Sequence, residues 1–154
     1  MVNPIPAGYH SITPYLMVRD GARAIAFYRE AFGAEEVLRF NDPDGRIAHA
    51  EIKIGDSHVM LADENETFAG PQTLGGAGVS LLLYVADVDA TFAQAVAAGA
   101  MVRRPVADQF YGDRMGTLAD PFGHVWSIGT HREDVSLDEM QRRMAAMNAE
   151  KKSS

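Results

Sequence analysis

Cysteine is absent from this 154-residue sequence. The chain therefore has no disulfide framework, no thiolate zinc site and no cysteine nucleophile. It also lacks any stretch of the roughly 18 apolar residues that a membrane helix needs, and residues 1–10 do not resemble a secretory signal. We therefore expect a cytoplasmic protein with no membrane partner. Basic residues are few, since 14 lysines and arginines face 21 acids, and the net charge of -7 argues against nucleic acid as a partner.

The hydrophobic content, 47% of the residues, is enough for one well-buried core in a chain of this length. We therefore expect a single domain over residues 1–154 that is built from two halves. The expected parts are repeat one at about 11–64, a linker at 65–78, repeat two at about 79–130 and a C-terminal helix at about 136–151.

Apolar residues recur with two different periods along the chain. Alternation over 12–18, 47–54 and 79–85 predicts strands, whereas helical spacing over 22–32 and 87–98 predicts two helices that end at Gly33 and Gly99. Each helix is followed by a strand and then by a hairpin. The hairpin turns are expected at 55–56 and 120–123. The element order is therefore βαβββ twice, which is an α+β fold with a weak internal repeat.

The last segment carries a helix start signal, because Ser136 is followed by Glu139 in a capping-box spacing. Leu137, Met140, Met144 and Met147 form a narrow apolar stripe on this otherwise charged helix. The stripe could pack on its own domain or on a partner subunit. Alternatively, the helix could be a mobile lid over a pocket, since methionine adapts to varied surfaces.

Several short runs in this order resemble the vicinal oxygen chelate superfamily, which includes glyoxalases, bleomycin-resistance proteins and dioxygenases. The runs are Tyr15-Leu16-Met17-Val18, Ala26-Phe27-Tyr28, Ala31-Phe32-Gly33-Ala34 and Asp120-Pro121-Phe122-Gly123-His124. The resemblance covers about residues 10–131, and the runs 50–64 and 108–114 are most similar to the PhnB-like branch. It implies two tandem βαβββ repeats that form a curved mixed-sheet cup with the helices on the outside.

In enzymes of this superfamily, each repeat supplies two metal ligands that point into the cup. The resemblance puts these four positions at Thr13, Met60, Ser80 and Ser127. Divalent cations are bound by carboxylate, imidazole or thiolate donors, and neutral hydroxyl or thioether groups are poor substitutes. We therefore expect a cup without a metal ion and without another cofactor.

A polar pair stands out among the residues expected to line the cup. Alternation puts His49 and Glu51 on one face of their strand, and a two-residue turn at 55–56 would place Glu51 opposite Met60. Ala48, Ala50, Ile52 and Ile54 would form the apolar face of the same strand. The pair could anchor a ligand, could act as an acid and base without a metal, or could be an ordinary solvated strand surface.

Aromatic and cationic residues complete the candidate site. The same counting places Tyr15 and Tyr84 in the cup lining and Trp126 on the opposite, core-facing side. Tyr111 and Arg114 lie in a loop that would either rim the cup or form a simple turn. His10, which precedes the first strand, and His131, which follows the last, are expected to be solvated.

Two classes of function remain from the sequence. The first is a protein that binds a small, largely apolar or aromatic molecule, with sequestration or resistance as its role. The second is an enzyme: a metal-dependent lyase, epimerase or dioxygenase, or a metal-free acid/base enzyme that uses His49 and Glu51. The resemblance also implies a homodimer, because superfamily members commonly build their cups between two subunits.

Overall fold

The computed structural model describes residues 1–154 as twelve helices and strands. In chain order they are β1 (Tyr15–Val18), α1 (Gly21–Phe32), β2 (Glu35–Asn41), β3 (Ile47–Ile54), β4 (Ser57–Asp63), α2 (Pro71–Leu74), β5 (Ser80–Tyr84), α3 (Val88–Ala98), β6 (Met101–Asp108), β7 (Asp113–Ala119), β8 (Val125–His131) and α4 (Leu137–Ser153). Apart from the single turn α2, the order is βαβββ twice with a C-terminal helix, which confirms the predicted α+β fold. None of the helices is both long and apolar enough to cross a membrane.

The strands form two four-stranded sheets with the same topology. Their orders are β1-β4-β3-β2 and β5-β8-β7-β6, and the first pair of each sheet is parallel while the other pairs are antiparallel. Tyr15 pairs with Met60 in the first sheet, and Leu82 pairs with Ser127 in the second. The internal repeat inferred from the sequence is therefore also a repeat of strand pairing.

Helices α1 and α3 end before Gly33 and Gly99 as predicted, and each begins one residue away from its predicted start. The side chains of Asp20 and Asp87 accept hydrogen bonds from the backbone N–H groups of Arg23 and Ala90, which caps the two N-termini. Gly33 ends α1 in the left-handed conformation, with φ of 68°, which glycine adopts without a steric cost. The two helices contact each other and cover the inner faces of the sheets.

The core is one continuous cluster of 22 buried apolar residues drawn from both halves. Trp126 of β8 is only 3% exposed and packs against Phe32 of α1, with ring centroids 4.9 Å apart. The prediction that Trp126 faces the core is confirmed. Because aromatic side chains of one half fill the core of the other, the two halves pack as one body.

Two details of the strand predictions were wrong. Strand β1 begins at Tyr15 rather than at residue 12, so Thr13 precedes it, and the carbonyl of Pro14 accepts the first hydrogen bond, from the N–H of Met60. In β3, a register shift opposite Phe40 and Asn41 turns Ile47 inward and leaves Ala48 exposed. This irregularity breaks the alternation that had placed Ala48 on the apolar face.

Helix α4 starts as predicted, with the side chain of Ser136 accepting from the N–H of Glu139 at 3.2 Å. No residue of α4 is buried, and the apolar stripe is largely exposed at Leu137, Met144 and Met147. Only Met140 of the stripe is partly buried in one chain, so the stripe packs little against its own domain. The helix is attached instead by Arg143, which donates to the carbonyl of Phe110 and forms an ion pair with Glu133.

Candidate functional site

Each sheet has one face against the helices and one face that a single chain leaves open. Directly paired residues share a face. In the first sheet, the pairs of Glu51 with Met60 and Leu38, and of Met60 with Tyr15, therefore define the first open face, which also includes His49 and Phe40. In the second sheet, equivalent pairs define the second open face, which consists of Leu82, Arg104, Met115, Thr117, Ser127 and Tyr84.

A chain of hydrogen bonds crosses the first open face. The hydroxyl of Tyr15 lies 2.8 Å from Nδ1 of His49, and Nε2 of His49 lies 3.1 Å from Oε1 of Glu51. The other carboxylate oxygen, Oε2, accepts from the hydroxyl of Tyr9. The structure thus brings together the predicted residues Tyr15, His49, Glu51 and Met60, with both oxygens of Glu51 already occupied.

Tyr9 was missed by the sequence analysis. It precedes the first strand in a segment without periodicity, yet its ring stacks on the imidazole of His58 with centroids 4.2 Å apart. Nδ1 of His58 also lies 3.0 Å from the carbonyl oxygen of Gly8. These contacts hold the N-terminal segment across the first open face. No local pattern signals them, because the contacting residues are about fifty positions apart in the chain.

The electrostatics of this cluster favour an ionised carboxylate. The hydrogen bond from Tyr9 lowers the pKa of Glu51, and His49 lowers it further, against the opposing effect of burial. Burial, together with the hydrogen bond to Glu51, raises the pKa of Tyr9 to about 12. Burial and the charge of Glu51 also raise the pKa of Tyr15. Glu51 is therefore suited to hold a positively charged or hydrogen-bond-donating group, and it is a weaker base than an unperturbed glutamate.

The second open face carries hydroxyl groups where the first carries Glu51 and Met60. The hydroxyls of Thr117 and Ser127 lie 2.9 Å apart, so one of them donates a hydrogen bond to the other. Leu82 and Tyr84 of β5 flank them and are exposed. This face offers apolar surface with a few hydroxyls, which suits an apolar ligand held by few hydrogen bonds.

The hydroxyl of Tyr84 belongs to a hydrogen-bond network around Asp113, a buried carboxylate at the start of β7. Asp113 accepts from the hydroxyl of Tyr84 at 2.6 Å and lies 2.7 Å from Nδ1 of His131, whose Nε2 is 2.8 Å from Asp134. His131 is exposed, as expected, but it is the last residue of β8 and both of its ring nitrogens lie within hydrogen-bond distance of carboxylates. Asp134 and Asp113 raise the pKa of His131. Burial opposes ionisation of Asp113, but Tyr84 and His131 lower its pKa.

The resemblance assigns four positions to metal ligands, and the structure shows which chemical groups these positions offer a cation. Met60 and Ser127 occupy equivalent places in β4 and β8, Ser80 begins β5, and Thr13 lies just before β1. They offer three hydroxyls and one thioether, and no group of three or more His, Cys, Asp or Glu side chains could hold a metal ion. The residues present do not fit a divalent metal.

Arg114 lies apart from the open faces. Its side chain reaches α3, where Nε and Nη2 donate to the carboxylate of Asp89 at 2.8 and 2.9 Å, and it also pairs with Asp108. Strand alternation explains this, because neighbouring Met115 points to the second open face. The structure therefore does not bring Arg114 to the candidate site. Tyr111 does approach it, with its hydroxyl 3.5 Å from the sulfur of Met115.

Arg104 was also missed. It is exposed and pairs with Thr117, which places it on the second open face. Register shifts on both sides of Arg104 disrupt the alternation of β6, so counting by twos does not reveal its direction. The second open face therefore has a cation where the first has Leu38.

Two cavities of the single chain, of about 250 and 340 Å³, both border Pro14 and Leu81, at the junction of the two sheets. Neither is lined by His49 or Glu51. The first cavity reaches Tyr9, Thr13 and Leu82 and the second reaches Tyr15, so both touch only the edges of the open faces. The centre of each open face lies outside both cavities and would enclose a ligand only if something covered it.

Comparison with known proteins gives a consistent result. The family model described as the Glyoxalase/Bleomycin resistance protein/Dioxygenase superfamily matches residues 8–128. An uncharacterised protein of Mycobacterium tuberculosis, Rv0887c, is 44% identical over 141 residues, which is 88% of this chain and 83% of that protein. The crystal structure of TioX from Micromonospora sp. ML1 has a TM-score of 0.63 at 27% identity and covers 82% of this chain and 100% of its own. A PhnB protein from Bacillus cereus shares the fold, with a TM-score of 0.63 at 22% identity over 79% of this chain and 99% of its own.

Proposed function

We propose that this chain, which belongs to the glyoxalase/bleomycin resistance protein/dioxygenase superfamily, binds a small, largely apolar or aromatic molecule without a divalent metal. The open faces of the two sheets are the proposed walls of the binding cup. Sequestration of the ligand, rather than its conversion, is the proposed role.

The proposal is carried by the side chains that stand at the four positions that the resemblance assigns to metal ligands. Thr13, Met60, Ser80 and Ser127 supply hydroxyl and thioether groups, which bind a divalent cation poorly. Apolar and aromatic residues lie beside them, and Tyr15, Leu82 and Tyr84 are 46%, 49% and 57% exposed in one chain. Exposed aromatic surface beside a few hydroxyls is the usual lining of a site for an apolar ligand.

The acid/base alternative receives less support from the geometry. His49 and Glu51 are within hydrogen-bond distance, as that alternative requires. Glu51, however, already accepts from Tyr9 and His49, and these hydrogen bonds lower its pKa. A carboxylate that is stabilised in its charged form gains little by taking a proton from a substrate. The arrangement therefore favours holding a ligand over proton transfer.

We further propose that the working unit is a homodimer. The open faces of one chain expose Tyr15, Phe40, Leu82 and Tyr84, and an apolar surface of this kind is seldom left to solvent. A second copy related by a two-fold axis could place the second open face of one subunit against the first open face of the other. Each cup would then contain residues from both chains.

Metal analysis and thermal stability test the binding proposal. Protein purified without chelator is expected to contain far less than one equivalent of zinc, nickel, iron or manganese, and EDTA is expected to leave the melting temperature unchanged. Stoichiometric, tightly bound metal would overturn the proposal. In a screen of small aromatic compounds, at least one should raise the melting temperature, because a ligand that prefers the native state stabilises it.

Two variants test whether such a ligand binds in the cup. Tyr84→Ala removes an aromatic wall of the second open face and is expected to abolish most of the ligand-induced shift. Val102→Ala is the matched control, because Val102 is exposed but pairs with the buried Leu118 on the other face of the sheet. If both variants retain the full shift, the ligand lies elsewhere.

A further inference from the structure

We propose that the ligand carries an organic cation, an ammonium or amidinium group, which Glu51 recognises, and that Tyr9 covers this carboxylate when no ligand is bound. The inference rests on the proposed function and specifies the ligand class of the same site. It is carried by the arrangement of Glu51 and the aromatic residues around it.

Glu51 is a carboxylate in the middle of the first open face, between Met60 on β4 and Leu38 on β2. Its only ion-pair partner is His49, a residue that carries a charge only when protonated. The exposed Lys53, two residues along β3, forms no ion pair with it. Within one chain, this partly buried carboxylate therefore has no permanent cationic partner, and a ligand can supply one.

Aromatic side chains from three parts of the chain lie on or over the same open face as this carboxylate. Tyr9 comes from the N-terminal segment, Tyr15 from β1 and Phe40 from β2, where it pairs with His49. Tyr15 and Phe40 are 46% and 60% exposed, so part of each ring is available to a ligand. Cations are attracted to aromatic ring faces, and carboxylate together with aromatic rings is the chemistry that recognises organic ammonium groups. An anionic ligand would be repelled by Glu51.

Tyr9 explains how the site remains stable without ligand. Its hydroxyl occupies Oε2 of Glu51 while His49 occupies Oε1, so the carboxylate is satisfied on both oxygens. An amidinium group offers two parallel charged N–H donors, which bind a carboxylate more strongly than a neutral phenol does. The cation would therefore displace the hydroxyl of Tyr9.

The N-terminal segment can allow this movement. Near Tyr9 it is held by the hydrogen bond between Gly8 and His58 and by the stacking of Tyr9 on the same imidazole. Most residues from 1 to 12 are otherwise exposed. Tyr9 can thus leave Glu51 without disturbing the core.

The test uses a matched pair of probes, 4-aminobenzamidine, which is a cation, and 4-aminobenzamide, which is neutral and of nearly the same shape. Isothermal titration calorimetry with the full chain measures the dissociation constant of each. The wild type is expected to bind the cation at least about tenfold more tightly than the amide, as one charge-assisted hydrogen bond provides. Glu51→Gln should lose this preference, whereas Glu51→Asp should keep part of it.

Tyr9→Phe tests the covering role separately. Removing the competing hydroxyl should tighten binding of 4-aminobenzamidine by about three- to tenfold and leave the amide nearly unchanged. For Glu51→Gln, the matched control for loss of charge is Glu30→Gln, because Glu30 is exposed on α1, away from the open faces. It should behave as the wild type does. Circular dichroism of each variant confirms that the fold is retained.

Each failure has a distinct meaning. If both probes bind alike in the wild type and in Glu51→Gln, recognition of a cation is overturned while the proposed aromatic site stands. If neither probe binds at millimolar concentration, the cation inference is overturned, and the proposed function is judged by the aromatic screen alone. If Tyr9→Phe weakens binding of the cation, Tyr9 is part of the wall and its covering role is overturned.

Discussion

The hydroxyl of Tyr28, on α1, donates a hydrogen bond to the carboxylate of Asp120, which lies 92 positions later in the turn before β8. Asp120 is 4% exposed, and the same oxygen accepts from the indole N–H of Trp126 at 3.0 Å. Its other oxygen accepts from the backbone N–H groups of Phe122 and His124. One buried carboxylate therefore fixes the last turn and ties it to the first helix.

Tyr28→Phe should lower the free energy of unfolding by about 1–3 kcal/mol, because it removes one donor from a buried charged acceptor while keeping the ring. Urea denaturation followed by circular dichroism measures the change. Tyr111→Phe is the control, since the hydroxyl of Tyr111 meets only the sulfur of Met115 at 3.5 Å. The control should change stability by less than about 0.5 kcal/mol. Equal losses in the two variants would contradict the assigned role of Asp120.

This contact illustrates which parts of the fold the sequence could reveal. The ends of α1 and α3 at Gly33 and Gly99, the hairpin turn between β3 and β4, and the core position of Trp126 depend on nearest neighbours or on periodicity, and all were predicted. The partner of Asp120 was not, because nothing local distinguishes Tyr28 from the other apolar residues on the stripe of α1. Contacts between distant segments require the packed structure.

Gly112 connects the loop before β7 to the segment that leads into α4. Its φ is +100°, a value that L side chains adopt at a cost of about 1–2 kcal/mol, and an added Cβ would collide with the carbonyl oxygen of Glu133. Gly112→Ala should therefore destabilise by that strain plus about 1–3 kcal/mol of steric overlap. The denaturation midpoint in urea measures the loss.

Gly45→Ala separates strain from collision. Gly45 has a φ of +82° but no atom within 4 Å of an added Cβ, so only the conformational cost remains. We expect it to lose about 1–2 kcal/mol. If Gly112→Ala costs no more than Gly45→Ala, the carbonyl of Glu133 moves away freely, and the close packing of this segment is not important for stability.

The pKa of His131, raised by Asp134 and Asp113, predicts a pH-dependent contribution to stability. The folded state binds the proton more tightly than the unfolded state, so this contribution is complete below the unfolded pKa of about 6.5 and is lost as the pH rises through the folded pKa. His131→Gln should therefore lower the melting temperature more at about pH 5.5 than at about pH 9. A difference that does not change with pH would show that the charge of His131 contributes nothing.

The candidate site was predictable where the strands are regular and not where they are irregular. Glu51 opposite Met60 follows from a two-residue turn and a period of two, and the structure has this register. Arg104 lies between two register shifts, so its direction could not be counted. Arg114 was assigned to the site for its chemistry, although its alternation with Met115 directs it to the helix side. Tyr9 depends on a contact with no local signal.

The last prediction concerns the proposed homodimer. Leu82 lies at the centre of β5 on the second open face and is half exposed in one chain. If a second copy covers this face, Leu82→Arg would bury an unpaired charge at the contact, which is costly enough to prevent association. The wild type should have twice the 16.7 kDa mass of one chain by light scattering at micromolar concentration, and the variant should have the mass of one chain.

Val96→Arg is the control for this experiment, since Val96 is an exposed apolar residue on α3, on the helix side of the sheets. It adds the same charge away from the open faces and should leave the dimer intact. A monomeric wild type would exclude the homodimer. A dimer that survives Leu82→Arg but not Val96→Arg would place the contact on the helices, and a cup shared between subunits would then be wrong, because each open face would remain uncovered.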